Sequence, residues 1–256
     1  MRKRQKLVFS AVFLALWLVG VQSVNLELRY PLIGVAGIIA YLLGVWSLRE
    51  GLSGIEWLTV VLPSVFFTLA VGLFYILLPQ AWWARGLIAL LFGIGQYALL
   101  LTANIFSVAA IRTIALFRAA SAVGFVMTLV TGFLLFDTIL SFRLAFPLVG
   151  LLVCLASFGL LLPALWSVEL LPKLNRRVLS YAVCISLAMG VLAMSVCFWP
   201  IGITVSSLFL STALYVMLGI AQHYFQDRLF NKTVWEYVTV GAAVTITMLA
   251  TAGWGV

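Results

Sequence analysis

Charge is scarce in this chain. Asp, Glu, Lys and Arg make up 9% of its residues, against roughly a quarter in soluble globular domains. There are seven carboxylates and one histidine, so neither a His/Asp/Glu metal cluster nor an HExxH pattern can be assembled from neighbouring residues. The three cysteines, Cys154, Cys184 and Cys197, fall in apolar stretches with no CxxC pair. They read as small buried hydrophobes rather than as ligands or a disulfide framework. Walker loops, dinucleotide fingerprints and paired carboxylates are absent, as is any polar stretch long enough to fold as a soluble domain. No cofactor, metal site or catalytic residue is therefore expected, and a non-enzymatic role is preferred.

What the chain has instead is hydrocarbon. Hydrophobic residues make up 65% of it and the mean hydropathy is +1.22. The apolar runs are continuous rather than alternating, and about twenty residues is the length of a helix crossing a hydrocarbon core of ~30 Å. An unpaired amide in lipid costs several kcal/mol, so a spanning segment must be a helix or part of a closed barrel. Continuous runs select the helix. The expected fold is all-α: one polytopic transmembrane bundle of about nine helices covering residues 1–256. The spans fall at about 7–24, 31–48, 56–78, 86–103, 119–141, 144–166, 178–199, 201–224 and 234–254.

The basic residues fix an orientation. With nine spans and a cytoplasmic N-terminus, the inner side carries Arg2, Lys3, Arg4, Lys6, Arg49, Arg112, Arg118, Lys173, Arg176, Arg177, Arg228 and Lys232, and the outer side only Arg29, Arg85 and Arg143. A missing or extra span in the middle would scramble this positive-inside alternation. The net charge of +8 is thus explained by topology, and no nucleic-acid partner is implied. Tryptophans mark both interfaces as an aromatic belt: Trp46, Trp57, Trp166 and Trp235 near inner ends, Trp82, Trp83, Trp199 and Trp254 near outer ends. The first span follows a basic n-region and ends near Val21-Gln22-Ser23, which also fits a cleaved signal peptide. Its long apolar run with Trp17 favours a retained helix.

Prolines punctuate the pattern. Pro31, Pro147 and Pro200 are expected near helix starts, where a missing N–H matters least. Pro63 and Pro163 lie inside spans and should kink them. A continuous helix from Asn104 to Ser141 would be about 57 Å long at 1.5 Å per residue, too long to stand upright. A break near 112–119, or an amphipathic inner-surface stretch over 104–118, is therefore predicted. Ala120, Gly124, Thr128 and Gly132 form a small-residue face on the fifth span, the kind of face at which membrane helices approach closely. This makes that span central in the expected bundle. Shorter faces occur at Ala36, Ala40 and Gly44, at Ala182, Ser186 and Gly190, and at Ser207 and Ser211.

Few residues could carry chemistry. Asp137 is the one carboxylate well inside a span, an expensive placement that usually faces a bundle interior or a wet cavity. Arg143 follows about a turn and a half later, so local pairing or contact with headgroups is the competing expectation. Asp137 and Arg143 form the candidate intramembrane polar site. Arg112 and Arg118 form a candidate site for an anion or lipid headgroup at the inner face. His223 and Asp227 are spaced for an i, i+4 pair at the end of the eighth span. Gly51-Leu52-Ser53-Gly54 has the GxSG form found around the serine of rhomboid proteases. It lies in a short inner loop with no other motif of that family, so a protease is not supported. Asn231-Lys232-Thr233 is a glycosylation sequon on the predicted inner side.

The stretch from Asn104-Ile-Phe-Ser-Val-Ala-Ala-Ile-Arg-Thr through Arg118-Ala-Ala to Phe136-Asp137-Thr-Ile-Leu-Ser-Phe-Arg143 resembles uncharacterised multi-pass membrane proteins of uncultivated candidate-phyla bacteria. The resemblance covers about forty residues. It implies a bacterial cytoplasmic (inner) membrane and carries no assigned activity. Between function classes, a transport or channel-like role ranks first. The alternatives are a membrane scaffold or complex-assembly subunit, and an enzyme acting on a lipid-linked, phosphate-bearing substrate. Expected partners are membrane lipids, with other membrane proteins or a second copy of the chain as further possibilities.

Overall fold

A computed structural model describes residues 3–49, 54–77, 82–107, 114–170 and 174–253. All of its regular elements are helices: α1 (Lys3–Gln22), α2 (Leu26–Leu48), α3 (Glu56–Thr59), α4 (Leu62–Leu77), α5 (Trp82–Phe106), α6 (Ile114–Ser141), α7 (Phe146–Glu169), α8 (Arg176–Val196), α9 (Ile203–Phe225) and α10 (Asn231–Thr251). Among the described residues, nine helices are long and apolar enough to cross a membrane, counting α3 with α4 as the single segment Glu56–Leu77.

Local chemistry accounts for most of the boundaries, and in places moves them from expectation. α2 begins at Leu26, so Pro31 lies inside the helix rather than at its start. Pro63 does more than kink its span. The chain turns at Val60 and Val61 and restarts as α4, with Pro63 in the first turn, where it needs no hydrogen bond. Pro147 occupies the first turn of α7, as expected, and α7 continues through Pro163. The long stretch after Asn104 is divided, since α5 ends at Phe106 and α6 starts at Ile114. Residues 114–118 are helix continuous with the span. Residues 108–113, Arg112 among them, lie outside the described residues.

The chain divides into two compact units, residues 1–131 and 132–256. In the first, α1 packs on α2 and α5, and α2 on α4. α1 presents Leu7, Ala11, Leu14, Leu18 and Val21, all buried, at the three- and four-residue spacing of one helical face. Phe67 stacks on Phe92 with ring centroids 5.5 Å apart. A Cβ at Gly37 would lie 2.9 Å from Leu69, and one at Gly44 would lie 2.7 Å from Val61, so α2 comes close to α4 at Gly37 and to the turn before α4 at Gly44. The Ala36, Ala40 and Gly44 face is buried.

In the second unit α7 packs on α8 and α9, and α10 rests on α9. α7 and α8 meet backbone to backbone: a Cβ at Gly190 would come within 2.8 Å of the Gly150 carbonyl oxygen. Ala182 and Ser186 are buried on the same helix, so this small-residue face serves internal packing. Gly132 faces Leu214 and Leu160. Trp166 departs from the interfacial belt. It is 2% exposed and belongs to the core, while Trp83 and Trp235 are exposed as anchors would be. Between α6 and α7 the chain turns at Arg143, whose φ of 49° is uncommon for a residue with a Cβ.

Candidate functional site

Asp137 sits on the last two turns of α6 and is 8% exposed, not spread onto an interface. Its partner comes from another helix. Ser207 of α9 donates from Oγ to Asp137 Oδ1 at 2.9 Å. The same hydroxyl lies 3.0 Å from the Thr204 carbonyl oxygen, so one proton serves two acceptors. Thr138, beside Asp137, turns its hydroxyl to its own helix at Leu134 O. Asp137 therefore retains lone pairs without a protein donor among the described residues. An ionised carboxylate in low dielectric needs fuller compensation than one hydroxyl.

One helical turn beyond Asp137, Leu140 lines a cleft of about 270 Å³. Arg143, Cys197, Trp199 and Ser206 also line it. Ser206 is next in sequence to Ser207, so the cleft opens just above the Asp137–Ser207 pair. This is the end that the charge asymmetry assigns to the outside. Arg143 is exposed and contributes a positive charge at the mouth. Among the described residues it forms no ion pair with Asp137, so the local pairing expected from their spacing is replaced by the contact with α9.

The other candidates stand apart. Arg118 is exposed on the first turns of α6, and Arg112 lies outside the described residues. His223 and Asp227 form no ion pair among the described residues. The chain turns at Asp227 with φ 53°, and the His223 ring lies 5.8 Å from Tyr237 with a buried, unpartnered Nδ1. Of the GxSG motif only Gly54 is described, with φ 52°, and Gly51, Leu52 and Ser53 lie outside.

Two polar groups gain a role only from the structure. In the sequence Ser207 reads only as a small residue, because its importance depends on which helix faces Asp137. Gln96 is fully buried in the first unit and donates from Nε2 to Ser64 Oγ, while its Oε1 has no partner. An amide in the middle of the apolar run from Leu90 to Leu101 is a signal visible in the sequence.

The nine helices among the described residues that are long and apolar enough to cross a membrane define a multi-pass helical membrane protein. The chain belongs to the family of proteins of unknown function DUF5656, whose model matches residues 9–251. No curated protein and no solved structure matches it.

Proposed function

We propose that the protein is a transport or channel-like component of a bacterial cytoplasmic membrane, with Asp137 as an outer station for a proton or an alkali cation. The observation carrying this reading is the Asp137–Ser207 hydrogen bond directly beneath a polar cleft. A buried carboxylate with spare lone pairs, one turn from an opening, is the arrangement that ion pathways require. Ser207 orients the carboxylate, and Arg143 tunes the field at the mouth. Arg112 and Arg118 would form an anion-attracting rim at the inner face. The test is ion flux in proteoliposomes holding a pH-sensitive or alkali-ion-sensitive dye. Asp137→Asn is expected to abolish flux and Ser207→Ala to reduce it. Unchanged flux in Asp137→Asn defeats the mechanism.

The scaffold reading has one observation of its own. α10 buries a single residue, Met248, which leaves its remaining surface for lipid or a partner helix. A clean monomer in mild detergent, with no co-purifying protein, counts against it.

A further inference from the structure

A second polar crevice lies wholly within the first unit, at the other helix ends assigned to the outside. It sits where the end of α1, the start of α2 and the end of α4 converge. Arg29 donates from Nε to Val24 O at 2.9 Å and from Nη2 to Gln22 O at 3.0 Å, closing the C-terminus of α1 and leaving Nη1 uncommitted among the described residues. Tyr75 is 5% exposed, and its hydroxyl has no hydrogen-bond partner. Gln22 Oε1 is likewise buried without one. All three residues line the same crevice.

Orphan polar atoms of this kind are rare because each carries its full desolvation penalty. Two of them lining one crevice together with a cationic side chain point to an occupant. The space measures about 10 Å³, roughly one water-sized group, so a single oxygen enters and the rest of the ligand lies outside. Leu18, Val21, Ile33 and Ile76 form the apolar border. Helix ends lie at headgroup depth, where basic residues meet lipid phosphates.

We propose that this crevice binds the phosphate group of a phospholipid. One phosphate oxygen accepts from Tyr75 Oη and Arg29, a hydroxyl or ammonium of the headgroup donates to Gln22 Oε1, and an acyl chain runs over the apolar border. The site is independent of the Asp137 station, and its test does not use ion flux. The same phosphate chemistry is offered by inorganic phosphate, which lacks the acyl chain.

The discriminating variant is Tyr75→Phe, which keeps the ring and removes only the orphan hydroxyl. Full-length protein stripped of lipid in mild detergent is titrated with phosphatidylglycerol by native mass spectrometry, and separately with millimolar inorganic phosphate by thermal unfolding. The wild type is expected to hold one lipid roughly tenfold more tightly than Tyr75→Phe, the loss of one hydrogen bond to a charged group. Gln22→Met is expected to weaken it in the same direction. Inorganic phosphate is expected to displace the lipid only weakly. Equal lipid binding by wild type and Tyr75→Phe, with the variant as stable or more so, would mean that the hydroxyl meets water alone and overturns the proposal. Stabilisation of the wild type by inorganic phosphate without lipid binding overturns the lipid assignment in favour of a solute. If Tyr75→Phe fails to fold, Gln22→Met decides by the same comparison.

Discussion

Ser207 holds one oxygen of Asp137 and nothing else among the described residues donates to that carboxylate. Ser207→Ala is therefore expected to lower stability by about 1 kcal/mol, the range for an interhelical side-chain hydrogen bond in a membrane. Asp137→Asn, which keeps the shape and a hydrogen-bonding group, should change stability less than it changes ion flux. Denaturation of the purified protein against flux in the same preparation checks this. A parallel loss of both would make Asp137 a packing residue. Gln96 and Ser64 give the complementary case. Ser64→Ala strands the whole Gln96 amide in a fully buried position, whereas Ser64→Ala with Gln96→Leu removes both partners together. The double variant is expected to be less destabilised than the sum of the singles by about 0.5–1.5 kcal/mol, measured as a double-mutant cycle. Exact additivity would mean that the pair is not coupled.

At the scale of elements, glycines separate into those that set a helix approach and those that do not. A methyl at Gly190 meets a backbone oxygen of α7 at 2.8 Å and Cys154 Cβ at 3.0 Å, and neither can swing aside. Gly190→Ala is expected to destabilise by about 1–3 kcal/mol through overpacking. Gly34 faces open space, so Gly34→Ala should be neutral or stabilising by up to about 1 kcal/mol from helix propensity alone. Thermal unfolding of the two variants side by side tests the distinction, and equal effects would sink it. Most elements were legible in the sequence because hydrocarbon admits one solution per apolar run. From the sequence Pro31 reads as a helix start because proline breaks helices in water, yet α2 begins five residues earlier and tolerates it. Trp166 reads as a belt residue from its distance along the run, while its burial depends on packing within the second unit. The small-residue faces did announce close approach, though not which glycine meets backbone and which meets a yielding side chain. Asp137 was visible for its cost. Its partner was not, since Ser207 lies seventy positions away and only the packing of α6 with α9 joins them.

For the whole molecule, the nine helices long and apolar enough to cross a membrane among the described residues are an odd number, so nine crossings would put the two ends of the chain on opposite sides. The alternation of basic residues in the sequence predicts an N-terminus inside and the cleft beside Arg143 outside. Cys197 lines that cleft just beyond the end of α8 and is a native reporter of side and access. In a variant lacking Cys154 and Cys184, a membrane-impermeant maleimide added to intact cells should label Cys197, and added to inside-out vesicles should not. Partial burial pushes the Cys197 thiol above its ordinary value. The thiolate is the reacting form, so the thiolate fraction at neutral pH is lower than for a free thiol. Below the thiol's own pKa, the labelling rate should rise about tenfold per pH unit, still climbing at a pH where a free cysteine has levelled off. Occupancy of Asp137 by an alkali cation one turn below should alter that rate in wild type and leave it unchanged in Asp137→Asn. Labelling only from inside-out vesicles would invert the topology, and with it the assignment of both crevices to the outer face. Labelling from outside that ignores every cation would leave the topology intact and remove the link between the cleft and the carboxylate beneath it.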